Sequence, residues 1–321
     1  MKNIQREDLY IICNHSNLTE QEIDNVLKEK VYNDKQAWQK FLNIFIITLG
    51  IGFTVIGTVF FFAYNWADLH KFAKIGLVQG LIIATTMLVL LPKISTNISN
   101  IILTGASVLV GVLFAVFGQI YQTGANAYDF FLGWTVFITL WVLVSNFAPL
   151  WLIYVVLINT TLIFYSAQVA QDWSDIFVIT LLFIVNTVAV IAFTLLSNYK
   201  KIVNVPHWFL NAVALASTTY ATIGIITGIF KNNNKNSGEF SVLILITLVA
   251  FALGIWQGLK DKSIFYLSVI PFSLIIIVSA LIIEASSGEA TFLLVSLFIT
   301  ISVTVVIKNL IDIQKKWANE K

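Results

Sequence analysis

Long apolar runs alternate with short polar breaks along most of this chain, at residues 41–66, 75–91, 101–121, 130–147, 150–165, 176–197, 208–230, 240–257, 264–284 and 291–310. Each lies near the roughly 20 residues needed to cross about 30 Å of hydrocarbon as a helix. A soluble helix would show polar positions recurring every turn, and these runs do not. The pattern predicts ten transmembrane helices and an all-α polytopic bundle over residues 41–310. The tightest break is Ser145-Asn146-Phe147-Ala148-Pro149, where Pro149 disfavours helix in the residue before it and leaves room only for a very tight turn.

The polar lead-in, residues 1–40, has a helical pattern of its own. Thr19-Glu20-Gln21-Glu22 reads as a capping box, with Leu18 and Ile23 placed for the hydrophobic staple. Ile23, Val26, Leu27 and Val31 then form a narrow apolar stripe, so a short helical hairpin is expected before the first span, suited to a cytoplasmic protein partner. This lead-in holds seven acidic residues and no short apolar run followed by a cleavage site. No removable leader is expected, and the span from Phe41 would act as an uncleaved insertion signal.

Charge sets the orientation. With the N-terminus inside, fifteen of the nineteen Lys and Arg residues fall in inner segments and only Lys71, Lys74, Lys231 and Lys235 fall outside. Cytoplasmic segments are enriched in basic residues, so both termini are expected in the cytoplasm, with residues 311–321 as a cytoplasmic tail. The composition agrees: 58% of residues are hydrophobic and 11% charged, against roughly 25% charged in soluble domains. The solvent of most of the chain is lipid, and membrane lipids are the first expected partners. A net charge of +2 without a basic cluster excludes a nucleic-acid partner. One cysteine, Cys13, and three scattered histidines give no metal-ligand spacing, so neither a metal nor another cofactor is expected. Nothing in the sequence fixes the oligomeric state.

Every Asp, Glu, Lys and Arg lies at a span end or in a loop, which disfavours a proton pump or a voltage sensor. The interior does carry neutral polarity. Asn159 and Asn186 fall near the middles of consecutive antiparallel spans and are expected to meet, with Thr160, Thr161 and Thr187 beside them. Ser217-Thr218-Thr219-Tyr220 occupies the middle of the seventh span. Asn159, Asn186, Thr218 and Thr219 form a candidate midplane cluster that either lines a pocket for a neutral solute or serves interhelical hydrogen bonding.

In the third span Ser107, Gly111 and Ala115 recur every four residues, a spacing that permits close helix approach, and the row leads to Gly118-Gln119-Ile120-Tyr121-Gln122-Thr123-Gly124. The first span ends in Phe62-Ala63-Tyr64-Asn65-Trp66-Ala67-Asp68-Leu69, followed by Lys71-Phe72-Ala73-Lys74-Ile75-Gly76-Leu77. These motifs, in this order, resemble the bacterial predicted-membrane-protein family known as domain of unknown function 2157, over roughly residues 18–151. The resemblance implies a multi-pass setting in the bacterial cytoplasmic membrane and brings no catalytic residues, and His70 stands where members often carry proline. Both motifs map outside, so Asn65, Trp66, Asp68, Gln119, Tyr121 and Gln122 are a candidate outer-face site, expected to be contiguous if the small-residue stripe packs against the first span.

No constellation of nucleophile, base or metal ligands marks an enzyme. The first functional expectation is a transporter-like or channel-like protein for a neutral or weakly polar solute. A membrane-embedded scaffold or sensor is the alternative, and a lipid-modifying enzyme using Asp68 and His70 is the least favoured.

Overall fold

The computed structural model describes residues 19, 21–22, 26–27, 35–121, 124, 126–200, 205–231, 237–286, 288 and 290–319. Among these there is no strand. Ten helices follow one another: α1 (Lys35–Tyr64), α2 (Lys71–Val89), α3 (Thr96–Tyr121), α4 (Ala127–Ser145), α5 (Ala148–Gln168), α6 (Asp175–Lys200), α7 (His207–Phe230), α8 (Ser237–Lys260), α9 (Ile264–Ala285) and α10 (Ala290–Asn319). All ten are long and apolar enough to cross a membrane. Their apolar cores match the ten runs read from the sequence, but several helices reach further. α1 starts at Lys35 and α10 continues through Asp312, Lys315 and Lys316, because polar helix-forming residues keep the backbone ladder going after the apolar stretch ends.

The lead-in lies largely outside the described residues, apart from its capping box. The Thr19 amide and hydroxyl donate to the Glu22 carboxylate at 2.9 and 2.8 Å, and the Glu22 amide donates back to the Thr19 hydroxyl at 3.4 Å. These bonds, the amide first, hold the Glu22 carboxyl below its ordinary range.

The chain divides into two compact units, Met1–Leu109 and Val110–Lys321, with the division inside α3. In the first, Phe62 of α1 and Val78 and Ile82 of α2 are buried. α3 approaches α1 at Gly105, where a Cβ would overlap the Ile51 side chain. His70 caps α2: its backbone is extended and its Nδ1 accepts from the Phe72 amide at 3.4 Å.

In the second unit α4 packs along α5, α6 along α7, and α9 against α7, α8 and α10. One buried cluster joins Ile176 and Phe183 of α6, Ala221 and Ile225 of α7, Leu243 and Phe251 of α8, and Ile270 and Ile277 of α9. The tight turn expected at Pro149 is present: Asn146 takes the left-handed conformation (φ 45°, ψ 46°), Phe147 is extended, and Pro149 sits in the first turn of α5. Asparagine tolerates that conformation, and proline costs nothing in a first turn, where its missing amide has no partner to lose. Trp151 fixes the join by donating its indole N–H to the Val142 carbonyl at 3.2 Å while packing on Phe193 and Phe209.

Many large apolar side chains point away from both units, among them Val144 at 82% and Phe292 at 77% exposure. Such surfaces are untenable in water and ordinary in lipid, where helix association rests on packing and hydrogen bonds.

Candidate functional site

The midplane polar residues are built from helix to helix. Asn159 of α5 and Asn186 of α6, both buried, exchange reciprocal amide hydrogen bonds: Asn186 Nδ2 donates to Asn159 Oδ1 at 2.6 Å, and Asn159 Nδ2 to Asn186 Oδ1 at 3.3 Å. Each Nδ2 also donates to the carbonyl one turn back, Val155 or Leu182, at 2.7 and 2.8 Å. Both N–H bonds of each amide are thus engaged, which makes the pair a clamp between α5 and α6. The ladder continues with Thr187 of α6 and Ser217 of α7, hydroxyls 2.7 Å apart, and with Thr222 of α7 and Ser273 of α9 at 2.6 Å. Thr247 of α8 is buried with its hydroxyl unpartnered.

Beside this ladder lies a cavity of about 300 Å³, the lower end of the range typical for small-molecule sites. α6 and α8 form its sides through Phe183, Thr187, Val190, Thr194, Ala250, Phe251 and Gly254, and α7 and α9 its floor through Ala214, Ser217, Thr218, Tyr266 and Ile270. Its rim includes Ile191 and Leu195 of α6 and Leu253 and Trp256 of α8, all exposed, so it opens sideways between two helices. Room arises where side chains are small. Pro271, next to Ile270, withdraws one amide from the α9 ladder beside this floor. No lining side chain carries a charge; Gln257, at the end nearest the α8–α9 turn, donates to Asp261 Oδ2 at 2.6 Å. Lys260 lies 5.0 Å from the Trp256 ring.

Of the four midplane candidates, only Thr218 lines this cavity. Asn159 and Asn186 are spent on each other, and Thr219 is exposed and bonds the Leu215 carbonyl at 2.8 Å. The sequence reading missed Thr194, Gln257 and Tyr266; small Ala214 and Ala250 border the same space, whereas Gly254 is filled by Ile270, whose side chain would lie 2.6 Å from a Cβ there.

The motif residues fall in different units. In the first, Asn65 closes α1: its amide and Nδ2 both donate to the Phe61 carbonyl at 3.0 Å, and its own carbonyl accepts from Leu69. Trp66 covers Lys74, whose ammonium lies 3.9 Å from the ring centroid in a largely buried position. Asp68 is exposed. In the second, Gln119 is exposed, Tyr121 packs on Phe117 with centroids 4.5 Å apart, and Gly124 has a φ of 64°. Gln122 lies outside the described residues. The stripe does not behave as one packing face: Ser107 and Gly111 are buried but Ala115 is exposed, and Gly111 receives the Trp134 ring of α4. The close approach to α1 occurs at Gly105 instead, since helical spacing marks a face without naming its neighbour.

Comparison with known proteins finds a likeness over the first part of the chain. Residues 18–151 match the family described as predicted membrane protein, domain of unknown function 2157. The match contains both motifs and ends in the first turn of α5, so the cavity between α6 and α9 lies beyond it. No curated protein and no solved structure matches the chain. Among the described residues no group of three or more His, Cys, Asp or Glu gathers to hold a metal ion.

Proposed function

We propose that this multi-pass membrane protein is a transporter-like or channel-like carrier of a neutral or weakly polar solute, seated in the bacterial cytoplasmic membrane with both termini in the cytoplasm. The observation that carries this reading is the cavity of about 300 Å³ between α6, α7, α8 and α9, lined by apolar groups with hydroxyls and one amide and by no charged side chain. An uncharged lining stabilises a net-neutral guest, whereas an ion would lose its hydration without a compensating partner. The orientation rests on the excess of basic residues at one set of helix ends.

The reciprocal Asn159–Asn186 pair favours a second reading, a scaffold or sensor, because an amide pair closed on itself holds helices together and leaves no N–H for a solute. In that reading residues 1–40 engage a cytoplasmic protein and the Asn65–Trp66–Asp68 and Gln119–Tyr121–Gln122 segments face outward. Purified protein in proteoliposomes separates the two. A panel of radiolabelled neutral solutes should show uptake above that of protein-free vesicles, sensitive to Thr218→Phe. Uptake equal to that of empty vesicles for every neutral solute, from a folded sample, contradicts transport.

A further inference from the structure

The cavity between α6 and α8 opens sideways, and this bears on which solute it takes. Its rim is formed by Ile191, Leu195, Leu253 and Trp256, whose exposed apolar side chains meet lipid. From Thr187 to Leu195 the groove follows α6 for eight residues, about 12 Å at 1.5 Å per residue, close to half of a roughly 30 Å hydrocarbon layer. A groove with those dimensions, mostly apolar with a few hydroxyls and reached from the bilayer, fits one alkyl chain. At the end where α8 turns into α9, two opposite charges stand on lining residues: the Asp261 carboxylate accepts from Gln257, and the Lys260 ammonium lies over the Trp256 ring. The turn is fixed by Lys262 in the left-handed conformation and by the Ser263 amide donating to the Gly258 carbonyl at 2.8 Å. The turn thus carries one carboxylate, Asp261, between two basic residues, Lys260 and Lys262, which together complement a head that carries both signs, while a purely anionic head meets repulsion from Asp261.

We infer that the groove binds a single-chain amphiphile with a zwitterionic head, its chain between α6 and α8 and its head at Lys260 and Asp261. The inference rests on the carrier reading above and specifies its solute: net-neutral, drawn from the membrane itself. Thr187 and Ser217 bond each other at the deep end of the groove, so their hydroxyls make no demand that a hydrocarbon tail would leave unmet.

The test uses full-length protein in vesicles and a lysophosphatidylethanolamine with a photoreactive diazirine in its tail. Cross-links should concentrate on residues 190–195 and 250–257. They should be competed by unlabelled lysophosphatidylethanolamine and not by lysophosphatidylglycerol of the same chain length. Thr194→Phe, at a half-exposed position, should abolish groove labelling, and Leu248→Phe, on the exposed face of α8, should leave it intact. Asp261→Asn should remove the preference for the zwitterion. Labels spread over lipid-facing residues such as Val144, Phe292 and Leu293 would overturn the site, and equal competition by the anionic lipid would overturn the head assignment. The competition is read on the unmodified protein, so it stands even if a variant misfolds. Groove labelling without uptake contradicts the carrier reading alone; uptake of neutral solutes without groove labelling contradicts this inference alone.

Discussion

Asn159 and Asn186 show what a single polar side chain demands inside a membrane. An amide in hydrocarbon has no water to turn to, so each must find protein partners or destabilise the fold. The partners are the other amide and the carbonyl one turn back. Interhelical hydrogen bonds in membranes contribute only about 0.6 kcal/mol on average, because the separated helices also find substitutes. Replacing one member leaves the other amide unmatched, and replacing both does not repeat that loss. Asn159→Leu and Asn186→Leu should therefore each destabilise, and the double variant should fall short of their sum by about 0.5 to 2 kcal/mol. Reversible unfolding in mixed micelles checks this, and strict additivity would show that the two amides act separately. This pair was legible in the sequence, since consecutive antiparallel spans place mid-span residues at one depth. Thr219, one residue from the cavity-lining Thr218, was not separable from it in the same way, because about 100° of rotation per residue moves it to another face.

Between helices, the information lies in volume as much as in polarity. Gly111 and Gly118 belong to the same helix and to the same stretch of sequence, yet their surroundings differ. A Cβ on Gly111 would lie 2.6 Å from the Trp134 ring, while one on Gly118 would meet nothing. Gly111→Ala should push α3 from α4 and cost about 1 to 3 kcal/mol, as overpacking does. Gly118→Ala should be neutral or stabilise by about 0.5 to 1 kcal/mol, since alanine restricts the unfolded chain and suits a helix. Thermal unfolding of the two variants in the same detergent compares them, and equal destabilisation would mean that Gly118 too is packed. The helices themselves were readable because hydropathy sets their number and their apolar cores, while polar helix formers extend several ends. Their neighbours were not: Gly105 meets α1 and Gly111 meets α4 from faces of α3 about 120° apart, and no periodicity announces the cavity beside Ala214 and Ala250.

For the whole molecule, the basic residues placed outside by the predicted topology each meet an aromatic ring or a carboxylate where the structure describes them. Lys74 lies under Trp66, Lys71 lies 5.3 Å from the Phe72 ring, and Lys231 pairs with Asp175 at 2.7 Å. Of these contacts the Lys231–Asp175 pair alone brings an opposite charge, and an exposed pair of this kind adds little stability. The predicted orientation rests on the excess of fifteen bases over four, and it also decides which leaflet the α6–α8 groove meets. Cysteine accessibility tests it most directly. With Cys13 replaced by serine, a single cysteine at Asn233 should react with an impermeant maleimide added to cells whose outer envelope is permeable, and one at Lys260 should react only after the cytoplasmic membrane is opened. Labelling of Lys260→Cys in sealed cells, or protection of Asn233→Cys, would contradict a ten-span protein with both ends in the cytoplasm.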